Sequence, residues 1–479
     1  MTIRSIGCSI IQLFFLTLLT GCTQPVTTIV QAKPHSPAES ATDAALASRD
    51  KGHPVAAVAA FSGQPSRGPE RMLRAEDLKG LTWRSVGPAN MAGRVADICL
   101  APGSPKTFFV AFATGGLFKT TNAGTTFTPA FDKEATSSIG SVVVCDAPPD
   151  WPGWAEEPGD DESPETEARP GEKGKAKIVW VGTGEGNGRN SSSWGNGVYR
   201  STDGGSTFKH LGLADSHDIP RLAVDPRNPD ICYVAALGHL WGPNEERGIY
   251  KTIDGGETWQ AVLQIDENTG ACDVLIDPQA PDTVYAAMYM RRRSAYSFQS
   301  GGPEGGIYRS DDAGATWRKL TNGLPPQSGR IGLDIYRKNP SILYAVIESD
   351  VGGWGVSEFD NRSKAGGVFR TEDRGETWTR VNDLTPRAFY FGKIRVDPTN
   401  DQRVYLPGWG LGISEDGGKT FRAGGARVPH VDHHAMVIDP DDPDHLFIGT
   451  DGGVYVSHDG AKSWDFINHL AVGQFYNIE

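Results

Sequence analysis

The chain has 479 residues and a net charge of −13. That length exceeds one ordinary domain, although a single propeller can be this large. The charge argues against a nucleic-acid backbone as partner. With 59 Gly and 32 Pro among many Thr, Val, Tyr and Trp, the composition suits short strands joined by tight turns.

The first segment reads as an export signal. Arg4 precedes an apolar run from Ile10 to Leu19, followed by Thr20-Gly21-Cys22. Leu19-Thr20-Gly21-Cys22 resembles the bacterial lipobox, which implies lipidation at Cys22 and a membrane link through that anchor. Residues 23–79 are rich in Ala, Ser and Pro without periodicity and read as a disordered tether.

From residue 80 to 471 the pattern becomes repetitive. The octapeptide Thr252-Ile253-Asp254-Gly255-Gly256-Glu257-Thr258-Trp259 reads as a hairpin turn entering a strand. Its Asp can accept hydrogen bonds from its own turn, and Gly256 can supply a positive φ. Related octapeptides place Asn122, Asp203, Asp254, Asp312, Asp373, Asp416 and Asp459 at equivalent positions, spaced by 81, 51, 58, 61, 43 and 43 residues. Such spacing points to a solenoid or propeller. Each turn is preceded by an apolar first strand, often ending in Asp-Pro, then a second and a third strand. The expected fold class is all-β: a seven-bladed β-propeller with four-stranded antiparallel blades. Residues 148–177 interrupt the 1→2 turn of the second blade. This stretch carries nine acidic residues between Asp150 and Glu172 and reads as a disordered insertion.

Strand alternation separates two faces. Turns 1→2 and 3→4 share one end of each blade; loops 2→3 and 4→1 share the other. The second end holds the length variation, so ligand-binding residues are expected there. Candidates are Glu185, Arg189 and Trp194 in the blade-two loop, His239 and Trp241 in blade three, and Arg292 and Tyr296 in blade four. Asp350 to Lys364, with Trp354 and Phe359, adds a blade-five loop. Exposed aromatics beside charged groups can stack on sugars or peptides; packing of loop against loop is the competing reading. His430, Asp432 and His434 would point one way in an extended chain. Their chemistry fits a Zn or similar metal site, a proton-transfer pair, a ligand contact or a hydrogen-bonded structural cluster; no further ligand is identifiable and the spacing is not a known metal signature. No cofactor motif or nucleophile elbow appears. The remaining cysteines Cys99, Cys145, Cys232 and Cys272 lie in apolar runs and read as buried small hydrophobes.

Thr82 to Val86 looks like a fourth strand without a blade. Residues 472–479 look like another first strand, used in ring closure or opening a second propeller.

The octapeptides resemble Asp-box (BNR) repeats. The closest likeness is to bacterial exported BNR-repeat proteins related to the sortilin N-terminal domain and to two-propeller xyloglucanases. Trp83-Arg84-Ser85-Val86-Gly87-Pro88, Gly182-Thr183-Gly184-Glu185 and Ala236-Leu237-Gly238-His239-Leu240-Trp241 carry the likeness, with Gly301-Gly302-Pro303 and Asp451-Gly452-Gly453-Val454-Tyr455. It implies a propeller but no particular activity. Xyloglucanases of this type place a catalytic Asp before a Gly-Gly in the first blade, where this chain has Ala113, and draw a second carboxylate from a second propeller. Sialidases carry an Arg-Ile-Pro motif that is missing here. The expected function is therefore an exported binding or assembly module for a protein segment or glycan, with a glycoside hydrolase as the alternative.

Overall fold

The computed structural model describes residues 92–147, 177–189, 192–349, 364–387, 389–424, 429–470 and 472. All belong to one compact unit, Thr82–Glu479. The export signal, the tether, the acidic insertion, Thr82 to Val86, residues 350–363 and residues 473–479 lie outside the described residues.

Seven antiparallel sheets form seven blades, each with strands paired in the order first, second, third, fourth. Blade one comprises Val95–Ala101, Ser104–Phe112, Gly116–Thr120 and Thr128–Pro129. Blade seven comprises His433–Ile438, Leu446–Thr450, Gly453–Ser457 and Asp465–Phe466. Blade four gains a short fifth strand, Phe298–Ser300, paired with the long second strand Val284–Arg293. The only described helical element is a single 3₁₀ turn at Ala214–Ser216.

Burial explains the strand sequences. Second strands such as Cys232–Ala236 and Leu446–Thr450 are buried on both faces, so they are apolar throughout rather than alternating. Outer strands such as Lys209–His210 are exposed and polar. Seven apolar clusters among the described residues fill the seven interfaces between neighbouring blades. One of them joins Val95, Phe108 and Phe112 of blade one to Ala435, Phe447 and Val454 of blade seven. The ring closes there: the first strand of blade one lies against the first strands of blades two and seven.

Carboxylates on the innermost strands tie blades together. Asp97 accepts the Val142 N–H at 3.1 Å, Asp273 that of Leu333 at 3.0 Å and Asp334 that of Val396 at 2.8 Å. Each satisfies a backbone donor of the next blade, as buried polar groups require.

The repeated turns share one hydrogen-bond pattern. In all seven, the side-chain oxygen at the Asp or Asn position accepts the backbone N–H four residues on, at 2.8–3.0 Å. Gly256 takes φ 94°. Trp259 packs between blades two and three and donates its indole N–H to Leu211 O at 2.6 Å. Each turn joins third to fourth strand. The 2→3 and 4→1 loops therefore gather on the opposite face, as alternation requires.

Candidate functional site: a polar hub with an aromatic wall

The loop-rich face has two parts. The first is a buried polar hub around the propeller axis. Glu185 follows the second strand of blade two (Lys177–Thr183) and turns inward. Its carboxylate meets Arg94, with Nε–Oε1 at 2.9 Å and Nη2–Oε2 at 3.2 Å, and both side chains are sealed from solvent. Burial pushes Glu185 up to about 7 against the pull of Arg94. Asn187 receives the Arg330 Nη1 bond on Oδ1 at 3.0 Å and presents Nδ2 to His434 Nδ1 at 3.0 Å. Arg330 is fully buried and also donates to Tyr390 O at 2.9 Å. These bonds leave His434 Nε2 as the protonated nitrogen, 2.9 Å from Asp451 Oδ1. Burial lowers the pKa of His434 and keeps the ring neutral.

Asp432 and Asp451 stand at the rim of this hub. Ligating atoms of Asp432, His434 and Asp451 lie within 4.8 Å of one another. Burial, and then the negative charge of Asp451, push Asp432 up to about 6. Asp451 goes the other way: burial would raise it, but the His434 hydrogen bond and charges bring it below its ordinary value. Two adjacent carboxyl groups with pKa values driven apart can serve as proton donor and proton acceptor.

The second part is an aromatic wall on blades two and three. Trp194 stacks on His217 at 5.5 Å between ring centroids, and His217 stacks on His239 at 3.6 Å. Trp241 stands beside them, and Trp194 and Trp241 are 66% and 49% exposed. A cavity of about 110 Å³ runs along the wall between Ser192, Trp194, His217, His239 and Trp241. Behind it the buried Asp218–Arg291 pair, at 2.7 Å, fixes the entry to blade three against the blade-four strand. Stacked faces beside polar groups suit a sugar ring.

The sequence candidates distribute between these parts. Trp194, His239 and Trp241 come together in the wall, and Asp432 and His434 meet at the rim. Three expectations need correction. Glu185 is not a surface contact; its ion pair holds it inside. His430, Asp432 and His434 do not lie along one extended strand. Asp432 has a positive φ of 66° and the strand begins only at His433, so alternation does not apply across this stretch. His430 instead contacts Val431 O through Nδ1 at 2.9 Å. Arg292 and Tyr296 belong to the blade-four hairpin rather than the wall, with Arg292 paired across to Gln299 and Tyr296 94% exposed. Arg189 is half-buried within its own loop.

Sequence reasoning missed Arg94, Asn187, His217, Arg330 and Asp451 as site residues. Asp451 had a readable signal. It is the first residue after the second strand of blade seven and precedes Gly452-Gly453; Ala113 holds that position in blade one, before Thr114-Gly115-Gly116. The Asp-Gly-Gly pattern is thus present in blade seven. Ala113 itself is fully buried.

No family model matches the chain. An oligoxyloglucan-reducing end-specific xyloglucanase of Emericella nidulans is 25% identical over 259 residues, which cover 44% of this chain and 31% of that enzyme. A xyloglucanase of a Paenibacillus species is 28% identical over 271 residues, covering 54% of this chain and 21% of the enzyme. The matches thus span about a third or less of these curated relatives. Among solved structures, the GH74 xyloglucanase from Xanthomonas campestris superposes with a TM-score of 0.54 at 17% identity, over 81% of this chain and 56% of that one. An ancestral GH74 enzyme gives a TM-score of 0.53, also at 17% identity, over 80% and 47%. The chain is a seven-bladed β-propeller whose sequence relatives are xyloglucanases.

Proposed function

We propose that this chain is a glycan-directed propeller of glycoside hydrolase type. A polysaccharide chain lies along the Trp194–Trp241 wall, Asp432 donates the proton to the leaving oxygen as Asp451 attacks the anomeric carbon, and water then breaks that glycosyl ester with Asp432 taking its proton. The opposed pKa shifts of these two carboxyl groups at the rim carry the reading. Their closeness, within 4.8 Å, is nearer to the spacing of retaining than of inverting glycosidases. The xyloglucanase relatives support a β-glucan as substrate class.

A second reading is recognition without hydrolysis. Ala113 favours it, because it removes the carboxylate expected by resemblance in blade one. One screen separates the two: untagged protein is incubated with a panel of plant and microbial polysaccharides, and both retention and reducing-end release are measured. Release that is lost in Asp432→Asn and Asp451→Asn supports hydrolysis. Retention without release supports recognition alone. Neither retention nor release contradicts both.

The apolar run before Thr20-Gly21-Cys22 supports export and lipidation at Cys22, which would anchor the propeller outside the cytoplasmic membrane. Mass spectrometry of the mature N-terminus checks this. A diacylglyceryl group on Cys22 is the expected result, and an unmodified, uncleaved N-terminus contradicts it.

A further inference from the structure

The aromatic wall contains chemistry that sugar stacking does not use. We propose that Asp215, His217 and His239 form a binding site for a divalent transition-metal ion of the zinc, nickel or copper class. Their ligating atoms all lie within 4.8 Å of one another. Two imidazoles with one carboxylate match those borderline metals, whereas calcium and magnesium favour oxygen donors alone.

The ligands come from two loops that are tied together. Asn244 Nδ2 donates to Asp215 O at 3.0 Å and to Asp215 Oδ2 at 3.1 Å. The Glu246 carboxylate accepts the Asp215 N–H at 3.0 Å. Buried Arg247 holds His239 O at 2.6 Å and Leu237 O at 2.6 Å. The backbone beneath the ligands is therefore set before any ion arrives, which lowers the ordering cost of binding.

A second observation points to a ligand. Asp215 already reaches His239 Nε2 at 3.1 Å, whereas the His217 ring stacks on Trp194 and His239 and takes no hydrogen bond among the described residues. That ring lines the 110 Å³ cavity together with His239, Ser192 and Trp241. Metal–ligand bonds of about 2.0–2.1 Å require the three atoms to draw closer. Exposed Asp215 can do so by side-chain rotation, and the two rings by turning out of their face-to-face stack, so that their in-plane nitrogen lone pairs converge on the ion. Three protein ligands would leave a coordination position open toward the cavity, where a hydroxyl or carboxylate oxygen could bind. The thiols do not compete: Cys99 and Cys145 are pushed up to about 12 by burial, and none of the four described cysteines is paired.

The site stands independently of hydrolysis at Asp432 and Asp451. The test is a titration of untagged, chelator-treated full-length protein with Zn²⁺ by calorimetry and with Co²⁺ by visible absorption. One equivalent at roughly micromolar affinity or tighter is expected, with a Co²⁺ spectrum of nitrogen and oxygen ligation. His217→Ala and His239→Ala should each weaken binding at least about tenfold, and so should Asp215→Asn, a conservative change at an exposed residue. Asp432→Asn should bind as the parent does. No binding below millimolar concentration, unchanged affinity in all three ligand variants, or loss of binding only in Asp432→Asn would each overturn the proposal.

Discussion

The two faces of the propeller use similar residue types in opposite ways. On the short-turn face seven Asp or Asn residues repeat at the same position of the same turn, and each is occupied by its own backbone and hydroxyl neighbours. On the loop-rich face the carboxylates Glu185, Asp218, Asp432 and Asp451 occur once each; Glu185 and Asp218 find their cations in neighbouring blades, and Asp432 and Asp451 are grouped with His434 at blade seven. A carboxylate that recurs with the repeat serves the blade. One that departs from the repeat serves the ring as a whole, either by plugging the axis or by meeting a ligand.

That contrast can be broken first where the effect is largest. Arg94→Ala leaves Glu185 buried without its cation and should cost about 3–5 kcal/mol in denaturant unfolding at neutral pH. Because Glu185 titrates near 7 in the fold, the deficit should shrink as pH falls and the carboxyl becomes neutral. A loss below about 1 kcal/mol that does not change with pH would show that the hub is not an integral part of the fold.

The wall should respond in binding rather than stability. Trp194→Ala or Trp241→Ala removes one stacking face worth about 0.5–1.5 kcal/mol, hence up to about tenfold in glycan affinity, at unchanged melting temperature. Equal affinity in both variants would move the glycan off this wall.

The smallest change is expected on the other face. Asp254→Ala removes hydrogen bonds from Thr258 and Thr252 at an exposed turn and should cost about 1 kcal/mol, with glycan affinity unchanged. The Thr258 and Thr252 donors lower Asp254 to about 2, below its unfolded value. This stability is present above the unfolded pKa and disappears as pH falls toward 2, so the parent and Asp254→Ala should converge in strong acid. Divergence that grows with acidity would contradict the assignment.

How much of this was legible in the sequence differs by region. The blades were readable because one octapeptide recurs, and because second strands such as Cys232–Ala236, buried on both faces, must be apolar. The first strand Arg221–Val224 and the turn at Asp254 fall where the pattern places them. The wall was half readable: Trp194 and Trp241 stand out in variable loops, but His217 sits in an unremarkable 4→1 connection. The hub was readable only in Glu185 and His434. Arg94, Asn187, Arg330 and His434 belong to four different blades or their entry loops and converge only when the ring closes. No local pattern encodes that convergence. The extended chain assumed through His430, Asp432 and His434 is broken where Asp432 adopts positive φ.

The central functional claim rests on Asp432 as a protonated donor beside an ionised Asp451. Its most direct measurement is the pH profile of reducing-end release on the polysaccharide that the protein retains best. Turnover should fall as pH rises through about 6, where Asp432 loses its proton, and Asp432→Asn should lower it about 10²–10⁴-fold across the profile. A rate that stays flat through pH 6 and survives Asp432→Asn would contradict the assignment of this pair as the working groups.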